Sequence, residues 1–171
     1  MWRFTKAALA AVTLIVGTGT SVLAAGCSYE RQENLLTTVF YREAVPTRAA
    51  HASVMSIILT RLRSGKYGPD ICSVITYPNA LVHTMGGGKV GQAKLALSRE
   101  SARIFLREYA QQGTVSTESS VFERLRGMDS FHARSFRGAY ASSCSTVIGD
   151  NCFYAHGQKR HKVKRVRHKH R

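Results

Sequence analysis

The chain has few acidic residues, and its cysteines lack the spacing of a metal site. Ten Asp or Glu residues stand against 25 Lys or Arg in 171 residues, so the formal net charge is +15. None of the four cysteines belongs to a Cys-x-x-Cys or Cys-x-x-His pair, the spacing that supplies two zinc ligands from one turn. No internal repeat is visible in the sequence. We therefore expect neither a metal nor a cofactor.

A cluster of glycines is present without the other residues of a phosphate-binding loop. Gly86, Gly87 and Gly88 directly precede Lys89. A P-loop needs a glycine six residues before the lysine and a Ser or Thr after it, but His83 and Val90 occupy those positions. We interpret the segment as a flexible loop near a cleft and expect no nucleotide site.

The excess of positive charge is concentrated at the C-terminus. Eight of the Lys and Arg residues follow Gly157, and we expect this tail, residues 158–171, to be solvated and disordered because like charges repel. The tail lacks the interleaved aromatic residues that stack on bases, so nucleic acid is not an expected partner. Anionic envelope polymers or anionic lipids are the expected partners instead.

The N-terminus has the pattern of an export element. Arg3 and Lys6 precede an uncharged run from Ala7 to Gly26, and Ala24-Ala25 supplies the small residues of a cleavage site. Residues 1–26 are thus either a cleaved signal peptide or a signal-anchor that tethers the chain to a membrane. A lipoprotein signal ending at Cys27 is a third alternative. Each alternative places the protein in the periplasm or cell envelope.

The number and positions of the cysteines are those expected of an exported protein. All four lie beyond the apolar run, and an even number in an exported chain indicates two disulfides. Three pairings are possible, of which we prefer Cys144 with Cys152, across Gly149 and Asp150, and Cys27 with Cys72.

Periodicity predicts a single domain, residues 27–157, that is mainly α-helical with a small β component (α+β). The helices are expected at about Glu33–Ala44, Arg48–Ser64, Ala93–Gln111 and Thr117–Arg126. A small hairpin is expected within Ser145–His156, around Gly149 and Asp150.

Glu43 stands where the first helix should be apolar. Its position continues a stripe made by Leu35, Leu36, Val39 and Phe40. A carboxyl group in apolar surroundings loses hydration, which raises its pKa and allows it to act as a general acid near neutral pH. The alternative is a partly buried structural glutamate that is held by an arginine or lies at the rim of the stripe.

Three motifs then follow one another within 36 residues. They are Phe40-Tyr41-Arg42-Glu43-Ala44, Ile57-Ile58-Leu59-Thr60-Arg61-Leu62 and Ile71-Cys72-Ser73-Val74-Ile75. This block resembles the catalytic region of the spore-cortex-lytic, SleB-type cell wall hydrolases. In that family one helix carries Ile-Tyr-His-Glu-Ala-Arg, the next reads like Val-Val-Leu-Asn-Arg-Val, and an Ile-Cys-x-Val-Val segment follows. The chain is similar to a divergent member, with a phage-encoded enzyme as one possibility.

The resemblance implies a lysozyme-like or lytic-transglycosylase-like domain that cleaves the MurNAc-GlcNAc bond of peptidoglycan. Glu43 would be its catalytic glutamate, and Tyr41 matches the aromatic residue two positions earlier. The family's His before the glutamate is Arg42 here, and His51 stands where the family has a Gln. Tyr154 lies in Cys152–His156, which resembles the family's closing aromatic segment.

From this resemblance Tyr41, Arg42, His51 and Tyr154 are candidate substrate contacts. Core packing is the alternative for Tyr41, a structural role for His51 and a surface charge for Arg42. Glycosidases commonly use two carboxylates, but only Asp70 and Asp150 are loop acids that could accompany Glu43, and both have the pattern of turn residues.

The sequence therefore supports two functions of different classes. The first is an exported peptidoglycan glycosidase, a phage endolysin or bacterial autolysin, in which Glu43 acts as a single general acid and base. The second is a nonenzymatic basic protein that binds the cell envelope through its tail and keeps a degenerate hydrolase body.

Overall fold

The structure, a computed structural model, describes residues 27–78, 81, 91–135 and 144–156. The predicted export element, most of the glycine-rich segment around Lys89 and the basic tail lie outside these residues. The described elements are α1 (Tyr29–Glu43), α2 (Arg48–Ser64), α3 (Ile71–Thr76), α4 (Gln92–Gln112), α5 (Ser119–Arg124), β1 (Ser130–Ala133), β2 (Thr146–Ile148) and β3 (Asn151–Tyr154). The prediction of a mainly helical α+β chain is confirmed.

Helix α1 begins four residues before its predicted start. The hydroxyl of Ser28 accepts a hydrogen bond from the Arg31 N–H at 3.2 Å and caps the helix, and Glu30 places a negative charge in the first turn. This first turn is exposed and polar, with Tyr29 50% exposed. It therefore carries none of the apolar periodicity on which the predicted boundary depended.

Helix α2 has the predicted bounds and lies at the centre of the fold. The Thr47 hydroxyl caps its first turn, and Gly65 ends it with a φ of 68°, a conformation that glycine adopts without strain. Every residue from Ala50 to Leu59 is buried, because α1, α3, α4 and α5 all pack against this helix. Burial around the whole circumference is typical of a core helix.

Helix α4 packs along α1 and ends at Gln112, before Gly113 and close to its predicted end. Of its large aliphatic residues, Leu106 is buried, whereas Leu97 and Ile104 are only half-buried. The buried face consists mostly of small residues and one ring: Ser98, Ser101, Ala102, Phe105 and Leu106. Small side chains let the two helix backbones approach closely, which hydrophobicity alone does not indicate.

The three strands form one antiparallel sheet in the order β1-β3-β2. The predicted hairpin is confirmed as β2 and β3, with Gly149 in its turn at a φ of 57°. Strand β1 was not predicted, because Ser130–Ala133 is short and has no β-branched residue. It becomes a strand by pairing with β3, where Phe131 lies opposite Phe153.

Two disulfides join the predicted cysteine pairs. The bond between Cys27 and Cys72 ties the segment before α1 to α3, and the bond between Cys144 and Cys152 crosses the β2–β3 hairpin. The preferred pairing is thus confirmed.

Within the described ranges, no helix has both the length and the apolar character needed to cross a membrane.

Candidate active site

Glu43 is the last residue of α1 and lies half-buried where the helices meet the sheet. The stripe before it is in the core, since Leu36, Val39 and Phe40 are all fully buried. After it, Ala44 turns to extended backbone while its N–H still donates to the Phe40 carbonyl at 3.2 Å. Glu43 therefore stands at the edge of the core, on the final turn of a well-packed helix.

The β2–β3 hairpin contacts the residues on both sides of this helix end. The Asn151 side-chain amide donates to the backbone carbonyl of Glu43 at 2.5 Å. In the turn, a Cβ at Gly149 would lie 2.8 Å from a methyl carbon of Val45, so the turn packs directly on that side chain. The hairpin and the end of α1 are therefore in contact through both backbone and side chains.

Tyr41 is placed between α1 and the start of α4. Its hydroxyl accepts a hydrogen bond from the Gly91 N–H at 3.0 Å, and the Lys94 ammonium lies 5.0 Å from its ring centroid. Gly91 occupies the N-terminal cap position of α4 and has no side chain that could cap the helix. The Tyr41 hydroxyl instead accepts a hydrogen bond from one of the N–H groups at the helix start that have no partner within the helix. The position is half-buried, and substrate contact by Tyr41 stays a prediction.

Arg42 and His51 occupy opposite environments. Arg42 is exposed in the last turn of α1, where its positive charge interacts favourably with the negative end of the helix dipole. His51 is fully buried in α2, with its ring stacked on Phe40 at 5.1 Å and its Nδ1 2.9 Å from the Ser101 hydroxyl. A fully buried side chain does not contact a substrate directly and can affect it only through the residues packed around it.

Burial governs the protonation of His51. Desolvation, with smaller contributions from the positive charges of Lys94 and Arg48, lowers its pKa from 6.5 to about 4. Its second ring nitrogen, Nε2, is buried and has no hydrogen-bond partner among the described residues. The ring is therefore neutral at neutral pH and links α1, α2 and α4 through stacking and one hydrogen bond.

Tyr154 lies on the same strand as Asn151 but three residues further along. A strand rises by about 3.3 Å per residue and alternates its side chains, so Tyr154 is about 10 Å from Asn151 and faces the other side of the sheet. Its ring packs between His132, at 5.7 Å, and His156, at 5.5 Å. Tyr41 and Arg42 thus lie on the helix turn that carries Glu43. Tyr154 belongs to a second cluster at the far end of β3, which includes Arg61, Asp129, Ser130, His132 and His156.

The two loop acids differ in their relation to Glu43. Asp70 caps α3, because its carboxylate accepts from the Ser73 N–H at 2.7 Å and the Ser73 hydroxyl at 2.9 Å. Asp150 is exposed in the hairpin turn, between Gly149 and Asn151. Asp150 is therefore the loop acid whose chain neighbours contact the end of α1.

The second cluster lies at the far end of β3 and was not anticipated. Arg61 is 7% exposed, its Nε donates to the Asp129 carbonyl at 2.7 Å, and its guanidinium lies 5.0 Å from the Tyr67 ring centroid. Burial lowers the pKa of Arg61, and the neighbouring Tyr67, Asp129 and Tyr154 oppose that shift. This arginine crosslinks α2 to the start of β1.

Asp129, Ser130 and His156 resemble a nucleophilic set by composition but not by geometry. The Ser130 hydroxyl lies 2.5 Å from His156 Nδ1, and the Asp129 carboxylate lies 3.5 Å from the same nitrogen. A catalytic serine, histidine and acid use the two different ring nitrogens. Ser130 is also only 3% exposed. These contacts fasten the end of β3 to β1.

One group of described residues has metal-ligand atoms close together. The sulfurs of Cys27 and Cys72 and a carboxylate oxygen of Asp70 lie within 4.8 Å of one another. Both sulfurs are joined in a disulfide, and a cysteine binds a metal ion as its free thiolate. While the disulfide is intact, the carboxylate of Asp70 is therefore the single metal ligand in this group.

A surface cavity of about 470 Å³ lies along the first half of α1. Its lining residues are Ser28, Glu30, Arg31, Asn34, Leu35 and Thr38. None of the predicted site residues lines it, and Glu43 lies beyond it along the same helix.

Comparisons with known proteins returned no match, whether to protein-family models, to curated proteins or to solved structures.

Proposed function

We propose that the protein is an exported peptidoglycan glycosidase of the lytic-transglycosylase type, built on a lysozyme-like scaffold, with Glu43 as its general acid and base. The observation that carries the proposal is the place of Glu43. It is a half-buried carboxylic acid on the last turn of a core helix, at the junction with a disulfide-closed hairpin. The resemblance of its surrounding motifs to SleB-type hydrolases supplies the reaction class.

The proposed reaction needs one carboxyl group. Glu43 donates its proton to the glycosidic oxygen as the bond from C1 of MurNAc to that oxygen breaks. The resulting carboxylate then takes the proton of the MurNAc 6-hydroxyl as that oxygen bonds to C1. Glu43 ends as it began, water is not consumed, and the product carries a 1,6-anhydro ring.

The surroundings of Glu43 support this role in two ways. Glu43 directly continues a helix whose residues Leu36, Val39 and Phe40 are fully buried, so it stands at the edge of the core. The Asn151 side chain hydrogen-bonds the backbone carbonyl of Glu43, which restrains the backbone that carries the carboxyl group. The exposed Arg42 beside it is a candidate contact for substrate carboxylates.

The test is the substitution Glu43→Gln, which keeps the size of the side chain and removes the transferable proton. We expect the variant to release no muropeptides from purified sacculi while keeping the wild-type circular dichroism spectrum and melting temperature. Glu33→Gln is the matched control, because Glu33 is a half-buried glutamate of the same helix that pairs with Arg103. Equal release by wild type and Glu43→Gln would refute the proposal.

The charge distribution favours a second candidate, a nonenzymatic protein that binds anionic polymers or lipids of the cell envelope. Eight Lys or Arg residues follow Gly157 and supply the positive charge for such binding. Deleting residues 158–171 should lower adsorption to cells, and the effect should weaken as salt is added. If sacculi are not cleaved and the deletion abolishes adsorption, this candidate replaces the first.

A further inference from the structure

The end of α1 leaves backbone carbonyls without partners inside the helix. The last four carbonyls of any α-helix lack intrahelical donors, and Glu43 is the last helical residue. Its carbonyl receives the side-chain amide of Asn151, a residue 108 positions away in the sequence. Asn151 is only 8% exposed, so water does not replace this donor easily.

Asn151 is itself held in place from several directions. It belongs to the central strand, where its backbone pairs with Ala133 of β1 and Ile148 of β2. The next residue, Cys152, is 1% exposed and is bonded to Cys144. Asn151 is therefore a rigid donor, presented by three strands and a disulfide.

The hairpin also limits the movement of the chain after Glu43. A Cβ at Gly149 would lie 2.8 Å from Val45 and 3.7 Å from Ala50, so the turn packs against both the α1–α2 connection and α2. Helix ends fray readily when nothing holds their last turn. Here the last turn is held on one side by a hydrogen bond and on the other by packing.

We propose that Asn151 is a positioning residue: its amide holds the carbonyl of Glu43 and thereby fixes the catalytic carboxyl relative to the substrate. This inference rests on the proposed function, because positioning matters only if Glu43 performs the reaction. Displacing a reacting group by 1 Å costs about a hundredfold in rate. Asn151 does not touch the reacting atoms and acts through the backbone of Glu43.

The test uses Asn151→Asp, which keeps the shape of the side chain and removes its N–H donors. At neutral pH we expect kcat for muropeptide release to fall by roughly tenfold to a hundredfold with KM unchanged. A protonated carboxyl can donate a hydrogen bond, so the activity relative to wild type should recover as the pH is lowered. A loss that is only structural would show no such recovery.

Asn34→Asp is the matched control, because it introduces the same carboxyl at an exposed position of α1 away from Glu43. Hydrogen exchange gives a readout that does not depend on activity. In Asn151→Asp at neutral pH, the amide of Ala44 should lose protection, while the amides at the middle of α1 should not.

The outcomes separate the two claims. If wild type is active and Asn151→Asp matches it in kcat at neutral pH, or if Asn34→Asp impairs kcat equally, the inference is wrong and the proposed function stands. If wild type and Glu43→Gln both release nothing, the proposed function is wrong and the inference falls with it. Reduced kcat, recovery in acid and loss of protection at Ala44 together support the inference.

Discussion

Acidification should destabilise the fold through His51, the buried histidine that stacks on Phe40 and bonds Ser101. Its pKa is 6.5 when unfolded and about 4 when folded, so between these values the unfolded chain binds a proton that the folded chain excludes. The contribution of neutral His51 to the free energy of unfolding is therefore fully present above pH 6.5 and decreases as the pH falls toward 4.

The size of the effect follows from the pKa difference. One pKa unit corresponds to about 1.4 kcal/mol, so the shift of His51 corresponds to a loss of about 3 kcal/mol once both states are protonated. About 1 kcal/mol of this should already be lost near pH 5.5.

The assay is urea unfolding, followed by circular dichroism with the disulfides intact, at about pH 7.5, 5.5 and 4.5. The substitution His51→Gln removes the titrating ring and keeps an amide that can bond Ser101. Carboxylates contribute equally to both proteins, so they cancel when the two free energies of unfolding are subtracted. The variant should lose about 2 to 3 kcal/mol less than wild type between about pH 7.5 and 4.5.

Ser101→Ala is the matched control. It removes the hydrogen-bond partner of His51 but leaves the ring buried, so unfolding should become easier by about 1 kcal/mol at every pH while most of the acid dependence remains. Desolvation is the largest cause of the lowered pKa, and this substitution does not relieve it. Equal losses of stability in acid for wild type and His51→Gln would show that His51 is not the group responsible.

Two further predictions concern the hairpin and the first disulfide. Gly149→Ala should lower the free energy of unfolding by about 2 to 4 kcal/mol, because alanine is strained at its positive φ and the new Cβ also meets Val45. Gly65→Ala should cost only about 1 kcal/mol, because it carries the backbone strain alone and nothing lies within 4 Å of its Cβ. Urea unfolding of both variants checks this, and equal losses would contradict the contact. Cys27→Ser should cost about 4 kcal/mol, because the lost bond closes a 45-residue separation. A melting temperature equal to wild type would contradict that bond.

Features set by neighbouring residues were predictable from the sequence. The bounds of α2 depend on Thr47 at its start and Gly65 at its end, and both signals act within one turn. The hairpin depends on Gly149 and Asp150 between apolar segments. These features agree with the structure because local propensity and the tertiary fold favour the same outcome.

Features set by distant residues were not predictable. The contact between Asn151 and Glu43 joins positions 108 apart, and nothing in the local sequence of either residue indicates it. Strand β1 exists because β3 supplies its hydrogen bonds, since four residues without a β-branched side chain do not by themselves predict a strand. The burial of His51 likewise depends on α1 and α4 covering it from both sides.

In the proposed function, Glu43 alone supplies the acid and the base for cleavage of the glycan. Digestion of sacculi in water enriched in heavy oxygen, followed by mass spectrometry of the products, tests it most directly. We expect wild type to release anhydro-muropeptides that carry no label, and Glu43→Gln to release no products. Labelled reducing ends would show that water rather than the 6-hydroxyl attacks C1 and would contradict the proposed reaction. The substitution Asp150→Asn would then test whether a second carboxyl group activates that water.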